Sequence, residues 1–343
     1  MAPFFGTIFG NPHSRGHALG WRAAEAVDKA REQVARAVGA TPSEIVFTSG
    51  ATESNNLALR GIDGPVATTA IEHPSILNAV AATVVPVGAD GLLDPAAIAD
   101  ALSDGARLVS VGLVNHEIGV IQPIAEIARV CQSRGVLLHA DCAQALGKID
   151  LDLSVLGADL ASFSAHKVYG PMGIGGLFVR RGVDLSPILF GGDQEMGLRA
   201  GTVPLPLAVG FGAAAKIASE ETGVDAARIA VLRDSLLARL RQSIPDLQVN
   251  GSMAARVSGN LNITVPRVDA EALMLAVPEV AVSSGSACAS GSTAPSPVLR
   301  ALGLDADAAS RSLRICLGRF TTEEETERAG EVIAAAWQAL TTQ

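Results

Sequence analysis

Ala161-Ser-Phe-Ser-Ala-His-Lys-Val-Tyr-Gly-Pro171 is the stretch around which we expect the fold to be organised. Apolar residues run up to Phe163 as in a buried strand, and small, polar and turn residues follow through Gly170. Lys167 is therefore predicted just past the end of a strand. In open α/β sheets ligands bind at such strand ends, because the side chains there project into a crevice above a rigid sheet.

The scarcity of lysine makes Lys167 a candidate for amine chemistry. Of the 26 lysines and arginines in the chain, only four are lysines, namely Lys29, Lys148, Lys167 and Lys216. Lysine can form a Schiff base, whereas arginine cannot. A lysine in a turn can also be an ordinary surface residue, so the neighbouring strand ends must decide between the two interpretations.

Length and composition indicate an enzyme-like protein with two domains. The chain has 343 residues, which is more than one hydrophobic core usually supports, and 48% of them are hydrophobic. The formal net charge of −9 argues against nucleic acid or an anionic membrane as the main partner. No apolar run approaches a membrane span and the N-terminus does not resemble a signal peptide, so we expect a cytoplasmic protein.

Strands alternate with helices as far as Lys167, which predicts a mostly parallel sheet with helices on both faces. Five strand ends on this pattern carry Thr52, His73, Asn115, Asp141 and Lys167. Helices at 205–218 and 226–241 then lead to a second, smaller α/β unit. We expect three short strands in that unit, near 260–265, 280–283 and 313–317.

The turn Ser49-Gly-Ala-Thr-Glu-Ser54 is a candidate phosphate site. A strand that feeds a small-residue turn and then a helix offers free backbone N–H groups and a positive dipole end. Gly50, Ala51 and Thr52 are the candidate ligands, although the same residues also suit an ordinary helix cap. His73 and Asp141 have structural alternatives too, as a satisfied histidine and as a helix cap.

The four cysteines have neither zinc-finger spacing nor the pattern of a disulfide framework. Cys131 and Cys316 lie on apolar patterns and are predicted to be buried core thiols. Cys142 follows Asp141 at a strand end. Residues 284–293 are small and lack an apolar period, so we interpret them as a mobile loop that presents Cys288.

These strand ends together hold the groups that pyridoxal 5′-phosphate requires. A lysine can hold its aldehyde, an aspartate can keep its pyridine nitrogen protonated, and a flat side chain can stack on its ring. Each residue alone is a weak indication, but their convergence on one sheet edge favours this cofactor.

Four motifs resemble those of the group I cysteine desulfurases, of NifS and IscS type, within the class V aminotransferase superfamily. They are Ser164-Ala-His-Lys-Val-Tyr-Gly-Pro171, Val114-Asn-His-Glu-Ile-Gly119, His139-Ala-Asp-Cys-Ala-Gln144 and Ser283-Ser-Gly-Ser-Ala-Cys288. The resemblance implies a pyridoxal-phosphate transferase of fold type I. Its large domain would span 16–220, the small C-terminal domain with the cysteine loop 221–343, and 1–15 would be an N-terminal remnant of the small domain.

The same resemblance assigns the cofactor contacts. Lys167 would attach the cofactor, Asp141 would pair with the pyridinium nitrogen, Gln144 would bind the ring hydroxyl, and His73 would stack on the ring and move protons. The phosphate would be held by Ala51, Thr52, Ser164 and His166, with Thr202 contributed by the other subunit of a homodimer.

The implied reaction converts L-cysteine to L-alanine. Asn115, beside the cofactor, and Arg314 would receive the substrate carboxylate, and Cys288 would take the sulfur as a persulfide. An iron–sulfur scaffold protein or a thiolation carrier would accept that sulfur, and Cys288 would then contact a nascent iron–sulfur cluster. No resident metal is expected.

Several positions depart from the family pattern. Its N-terminal D-x-x-A-T-T-P segment would precede Met1, so we expect substrate handling to suffer more than cofactor binding. His116, Cys142, Asp193 and Met196 replace a usual asparagine, threonine, glycine and arginine. Two alternatives stay open, namely a related class V lyase or aminotransferase of the selenocysteine lyase kind, which would not need a nucleophilic cysteine, and a non-catalytic partner subunit.

Overall fold

Two units make up the computed structural model, which describes residues 1–102, 105–285 and 295–342. The first unit consists of Met1–Val85, Pro95–Leu113 and Pro123–Thr222. The second consists of Pro86–Asp94, Val114–Gln122 and Gly223–Gln343. The domain bounds expected from the sequence stay a prediction.

A seven-stranded sheet forms the centre of the first unit. Its strands are β1 (Ile45–Thr48), β2 (Val66–Thr69), β3 (Ala82–Val85), β4 (Leu108–Gly112), β5 (Leu137–Asp141), β6 (Leu160–Ser164) and β7 (Gly175–Val179). They lie in the order β1-β7-β6-β5-β4-β2-β3, and only β7 runs antiparallel to its neighbours. The carboxyl ends of β1, β2, β4, β5 and β6 therefore meet at one edge. The predicted mostly parallel α/β sheet is confirmed.

The helices of this unit, except the first, bury apolar residues. In chain order they are α1 (Pro3–Gly6), α2 (Ala18–Ala37), α3 (Ala51–Gly61), α4 (Pro74–Leu77), α5 (Pro95–Ala101), α6 (Ile124–Ser133) and α7 (Leu153–Leu156). In α6 the buried residues are Ile124, Ile127, Ala128 and Cys131, which is the spacing of one helix face. Leu57 of α3 is buried in a core with Val46 and Leu177 of the sheet.

The second unit has a three-stranded antiparallel sheet in the order β10-β9-β8. Its elements are β8 (Gln248–Val249), β9 (Asn260–Thr264), α9 (Ala270–Ala276), α10 (Pro297–Ala301), α11 (Ala306–Ser310), β10 (Ser312–Cys316) and α12 (Glu323–Thr341). Thr322 and Glu325 cap α12 reciprocally, in the pattern of a capping box. Leu261, Ile263 and Leu313 form its core with helical leucines.

Four local expectations were wrong or incomplete. Residues 205–243 form one continuous helix, α8 (Leu205–Ser243), instead of two. Strand β3 was not predicted, and 280–283 contains only an isolated bridge from Ser283 to Arg314. Cys316 is exposed, because Leu313 and Ile315 point to the core and the next residue of a strand points away.

Among the described residues, no helix combines the length and the apolar character needed to cross a membrane.

Candidate functional site

Lys167 lies on a short 3₁₀ helix, Ala165–Val168, directly after β6, and its side chain is exposed. Tyr169 ends this helix in the left-handed conformation, at φ +64°. The Gly170 N–H then donates to the Ala165 carbonyl oxygen over 2.9 Å. This tight turn holds the lysine at the edge of the sheet where the parallel strands end, as the sequence predicted for the position of Lys167.

A close backbone contact shapes the turn between β1 and α3. Gly50 has φ +149° and ψ 178°, a conformation that only glycine adopts readily. A Cβ built on Gly175 would lie 2.6 Å from the Gly50 Cα and 2.3 Å from the Phe163 carbonyl oxygen. A Cβ built on Gly50 would lie 3.7 Å from the Ser164 Oγ. The Gly175 contacts bring the two backbones together, whereas the missing side chain of Gly50 leaves a recess beside Ser164, between the α3 N-terminus and the end of β6.

Donor groups surround this recess. Gly50 is the N-cap of α3 and no side chain of the described residues caps the helix, so the N–H groups of its first turn, at Ala51 and Thr52, point out of the helix end. The Ser164 Oγ lies 2.9 Å from the His166 Nδ1. Desolvation and the charge of Lys167 lower the pKa of His166. Helix N–H groups and a serine hydroxyl are the donors that bind a phosphate.

Asp141 ends β5, is 9% exposed, and is held by two hydrogen bonds. Its Oδ1 accepts from the Ala143 N–H over 2.9 Å and its Oδ2 from the Asn55 Nδ2 over 2.8 Å. The same Asn55 nitrogen donates to the Ser75 Oγ over 2.8 Å. That hydroxyl lies 2.8 Å from the Nδ1 of His73. The structure thus brings Asp141 and His73 into one hydrogen-bonded chain.

Gln144 follows Asp141 by three residues and is half-buried. Its Oε1 accepts a hydrogen bond from the Lys148 ammonium. The side chain is therefore oriented by a neighbour on its own segment.

Two buried titratable groups lie beneath this edge. Glu72 accepts from the Gly112 N–H over 2.9 Å and from the Thr69 hydroxyl over 2.5 Å. Burial raises the pKa of Glu72 to about 7 despite these donors, with a contribution from the negative charge of Asp141. His139 bridges the Ser110 and Ser162 hydroxyls, and burial lowers its pKa to about 4.

The loop at 191–202 is anchored by a buried ion pair. Glu195 accepts two hydrogen bonds from Arg31, at 2.6 and 2.7 Å, and a third from the Phe47 N–H at 2.6 Å. Thr202, at the end of the loop, is exposed. Its predicted contact with a partner's cofactor stays a prediction.

Asn115 and Arg314 both belong to the second unit, where they lie in adjoining segments. The Asn115 Oδ1 accepts from the N–H groups of Glu117 and Ile118, each over 2.9 Å. The Arg314 Nη1 donates to the His116 carbonyl oxygen over 2.9 Å. A guanidinium anchored next to a buried asparagine is suited to bind a carboxylate.

Glu117 supports this arrangement and was not singled out from the sequence. Its Oε2 accepts from the Ser296 Oγ over 2.6 Å, and its Oε1 lies 3.6 Å from the His116 Nε2. Burial opposes ionisation, but these partners and the charge of Arg314 outweigh it and lower the pKa of Glu117.

The thiols differ in accessibility. Cys131 and Cys142 are fully buried, and burial raises the pKa of Cys131 to about 12 and that of Cys142 well above its usual value. Neither thiol is therefore a nucleophile near neutral pH. Cys288 lies outside the described residues. In the described part of the chain, no group of three His, Cys, Asp or Glu side chains could hold a metal ion.

Sequence reasoning missed Asn55 and Ser75. Asn55 follows Ala51 by four residues, so it lies one helical turn beyond the phosphate-site candidates and on the same face of α3. A polar residue at that spacing, between the buried Ser54 and Leu57, was the available signal.

The chain belongs to the class V aminotransferase family, since the sequence profile described as Aminotransferase class-V matches residues 1–329. Members of this family use pyridoxal 5′-phosphate. The particular relatives are cysteine desulfurases, so the group identified from the four motifs is confirmed.

Two curated relatives illustrate the similarity. Cysteine desulfurase IscS of Rickettsia akari (strain Hartford) is 45% identical over 352 residues, covering 98% of this chain and 86% of that protein. The mitochondrial cysteine desulfurase of Drosophila melanogaster is 47% identical over 344 residues, covering 95% of this chain and 74% of that protein.

Two solved structures agree with the fold. A NifS-like protein superposes with a TM-score of 0.91 at 32% identity, covering 99% of this chain and 94% of that one. SspA in complex with cysteine has a TM-score of 0.81 at 34% identity, covering 93% of this chain and 94% of the other.

Proposed function

We propose that this protein is a pyridoxal-phosphate-dependent cysteine desulfurase that converts L-cysteine to L-alanine and passes the sulfur to an acceptor. The observation that carries the proposal is the hydrogen-bonded chain from Asp141 to His73 at the same sheet edge as the exposed Lys167. This edge provides a carboxylate, an imidazole and an amine on different strand ends, which is the set that the cofactor needs.

The residues of the first unit fit the cofactor. The recess between Gly50 and Ser164 would hold its phosphate, against the N–H groups of Ala51 and Thr52. Lys167 is the amine that would attach to the cofactor. The Asp141 carboxylate, already oriented by two donors, would face the pyridine nitrogen. When bound, the cofactor supplies an electron sink that weakens the bonds of the substrate's amino-acid carbons.

The remaining contacts concern the ring and the phosphate. We assign Gln144 to the ring hydroxyl, His73 to the ring face, and Ser164 and His166 to the phosphate. In the ligand-free protein desolvation and the charge of Lys167 lower the pKa of His166. The His166 Nδ1 lies against the Ser164 Oγ, so the other ring nitrogen would contact the phosphate.

Substrate binding is assigned to the second unit. The Arg314 guanidinium would pair with the substrate carboxylate, and the Asn115 side chain would help to orient it. The His116 carbonyl bond restrains Arg314 before substrate arrives, which lowers the entropy lost on binding.

Sulfur transfer requires a thiolate, which we assign to Cys288. The thiolate attacks the substrate sulfur, an S–S bond forms, and the C–S bond breaks with its electron pair left on carbon, which takes up a proton. L-cysteine and an enzyme thiol thereby become L-alanine and an enzyme persulfide. An iron–sulfur scaffold protein or another sulfur acceptor would then regenerate the thiol.

The protein is proposed to act as a cytoplasmic homodimer. Large apolar side chains near Lys167 and the 191–202 loop are exposed, among them Met172 and Phe190, each 83% exposed. Exposed apolar groups of this size are typical of interaction surfaces. A partner subunit on this side could contribute Thr202 to the site.

Turnover of L-cysteine tests the proposal. Purified protein with pyridoxal 5′-phosphate and a thiol should release alanine and sulfide in equal amounts, and Cys288→Ser should abolish both while it retains the cofactor. Cys316→Ser is the matched control and should keep full activity. Continued sulfide release by Cys288→Ser at close to the parent rate would favour the lyase alternative instead, and no turnover by the parent would favour the non-catalytic one.

A further inference from the structure

Asn55 lies at the centre of the chain of hydrogen bonds that joins Asp141 to His73. It is fully buried on α3, and its one side-chain nitrogen donates to both the Asp141 Oδ2 and the Ser75 Oγ, each over 2.8 Å. The amide nitrogen has two hydrogens, so both are used. Asn55 thereby joins the two halves of the network.

The orientation of the Asn55 amide follows from its neighbours. Its Oδ1 is buried and has no hydrogen-bond partner among the described residues. Turning the amide over would place this oxygen against the Asp141 carboxylate, where two acceptors would face each other. The amide therefore keeps both N–H groups toward Asp141 and Ser75, and its carbonyl oxygen stays without a hydrogen-bond partner among the described residues.

The hydrogens of this chain can be assigned from donor and acceptor chemistry alone. Ser75 accepts from Asn55, so its own hydroxyl hydrogen is available for the His73 Nδ1 at 2.8 Å. The Ser75 backbone N–H also points at this Nδ1 over 3.1 Å, and an N–H group can only donate. The Nδ1 must therefore accept, so a neutral His73 carries its ring hydrogen on Nε2.

We propose that Asn55 is a positioning residue that orients the Asp141 carboxylate and, through Ser75, holds His73 in the Nε2–H tautomer. The inference rests on the proposed function in one respect, because it assigns His73 the role of a hydrogen donor in the desulfurase site. In that role His73 donates its ring hydrogen from Nε2, while its Nδ1 stays the acceptor of the hydrogen bonds from Ser75. The network has two branches that start at Asn55. The Asp141 branch is the direct bond to that carboxylate, and the His73 branch passes through Ser75.

Variants on the two branches test this division. Ser75→Ala removes the hydroxyl bond to His73 and leaves the bond from Asn55 to Asp141. Asn55→Ala removes both bonds. Asn56→Ala is the matched control, since Asn56 is the next residue of α3 and its side chain donates within its own helix, to the Thr52 carbonyl.

The first readout is the ¹⁵N spectrum of histidine-labelled protein without substrate, with the His73 signals assigned from a His73→Gln variant. The parent should show a bare Nδ1 and a protonated Nε2. In Ser75→Ala and Asn55→Ala the Nδ1 signal should move downfield as a hydrogen bond to its lone pair is lost or weakened, and Asn56→Ala should match the parent. A parent His73 with its hydrogen on Nδ1 would overturn the proposal.

The second readout is the dissociation constant for pyridoxal 5′-phosphate. Asn55→Ala should weaken binding about tenfold, the upper range for one hydrogen bond, whereas Ser75→Ala should stay within about twofold of the parent. Equal affinities for Asn55→Ala and parent would contradict the Asp141 branch. If Asn55→Ala does not fold, Asn55→Leu keeps a similar volume without the donors and serves in its place.

The third readout is the steady-state kinetics with L-cysteine, which distinguish a positioning role from a general effect on folding. Ser75→Ala should lower kcat for L-cysteine by about three- to tenfold with KM unchanged, and an unchanged kcat would contradict the link from Ser75 to His73. The spectrum and the cofactor affinity need no turnover, so they decide the role of Asn55 even if the desulfurase assignment fails.

Discussion

Burial divides the titratable side chains at the carboxyl edge of the large sheet into two kinds. Lys167 and His166 are exposed, where they can meet a ligand. Asp141, Glu72 and His139 are buried, and each is held by named hydrogen bonds. We infer that the buried set fixes the geometry of the site, whereas the exposed set performs the covalent and phosphate contacts.

Glu72 gives this division a measurable pH dependence. Burial raises the pKa of Glu72 from 4.5 to about 7 in the folded protein, so the folded state binds more protons than the unfolded state between these values. The stability that Glu72 contributes is complete below about pH 4.5 and is lost as the pH rises through about 7.

The free energy of unfolding of Glu72→Gln should therefore rise relative to that of the parent between pH 4.5 and pH 8. The gain should be up to roughly 3 kcal/mol. A glutamine can still accept from Gly112 and can donate to Thr69. Urea unfolding at both pH values measures the difference, with the exposed Glu25→Gln as control. A pH-independent difference would show that Glu72 does not titrate in this range.

Cysteine reactivity tests the burial of the thiols. Iodoacetamide at neutral pH should leave Cys131 and Cys142 unmodified in the folded protein, because burial raises the pKa of both. The exposed Cys316 should react. Peptide mass spectrometry reads the labels, and denatured protein serves as the control in which all sites react. Rapid labelling of folded Cys142 would contradict its placement.

At the level of elements, the contact of β7 with the β1–α3 turn positions the recess. Gly175→Ala should push the two backbones apart, because its Cβ has contacts of 2.3 and 2.6 Å to backbone atoms. We expect a loss of about 2–3 kcal/mol in unfolding free energy, together with weaker cofactor binding.

The neighbouring glycine provides the control for this prediction. A Cβ on Gly176 would meet no atom closer than 3.5 Å, at the Phe211 ring, so Gly176→Ala should unfold within about 1 kcal/mol of the parent. Urea unfolding and cofactor titration of both variants measure the contrast. Equal behaviour of the two alanine variants would mean that the close contact at Gly175 does not exist.

Elements with strong patterns could be predicted, and weakly patterned ones could not. The alternation of buried strands and helices predicted the parallel sheet, because parallel strands buried on both faces are nearly continuous apolar runs. Strand β3 was missed because it lies at the sheet edge and its central residues, Thr83 and Val84, are exposed. In α8 the polar segment before Gly223 suggested a break that the helix does not make.

The site could be predicted residue by residue only where a strand end determined the position. Lys167 and Asp141 follow buried strands, and parallel pairing of β5 with β6 brings these ends to one edge. Asn55 and Glu117 could not be identified in this way, because their roles depend on which side of a helix or turn meets another segment. Such contacts between distant segments are set by the tertiary structure and are not visible in a local sequence pattern.

For the whole molecule, we predict a homodimer with shared sites. Lys167→Ala chains and Thr202→Glu chains should each be inactive alone, because the first lacks the amine and the second places a carboxylate at the phosphate. A mixed dimer combines one intact Lys167 with the intact Thr202 of the other chain. After subunit exchange an equal mixture should recover about a quarter of the parent activity.

Size-exclusion chromatography and a cysteine turnover assay measure this complementation. A mixture of Lys167→Ala with parent chains should keep half of the parent activity with or without exchange and so sets the scale, and native mass spectrometry of the doubly mutant mixture shows whether mixed dimers have formed. Exchange without any recovery of activity in the doubly mutant mixture would show that each site is built from one chain.

The most direct test of the central claim is the identity of the lysine that carries the cofactor. Protein loaded with pyridoxal 5′-phosphate and reduced with borohydride should yield, after proteolysis and mass spectrometry, a pyridoxyl group on Lys167 alone. Lys148 is the informative alternative, because its ammonium donates to Gln144 within the proposed site. A label on Lys148, Lys29 or Lys216, or no label on any lysine, would contradict the account.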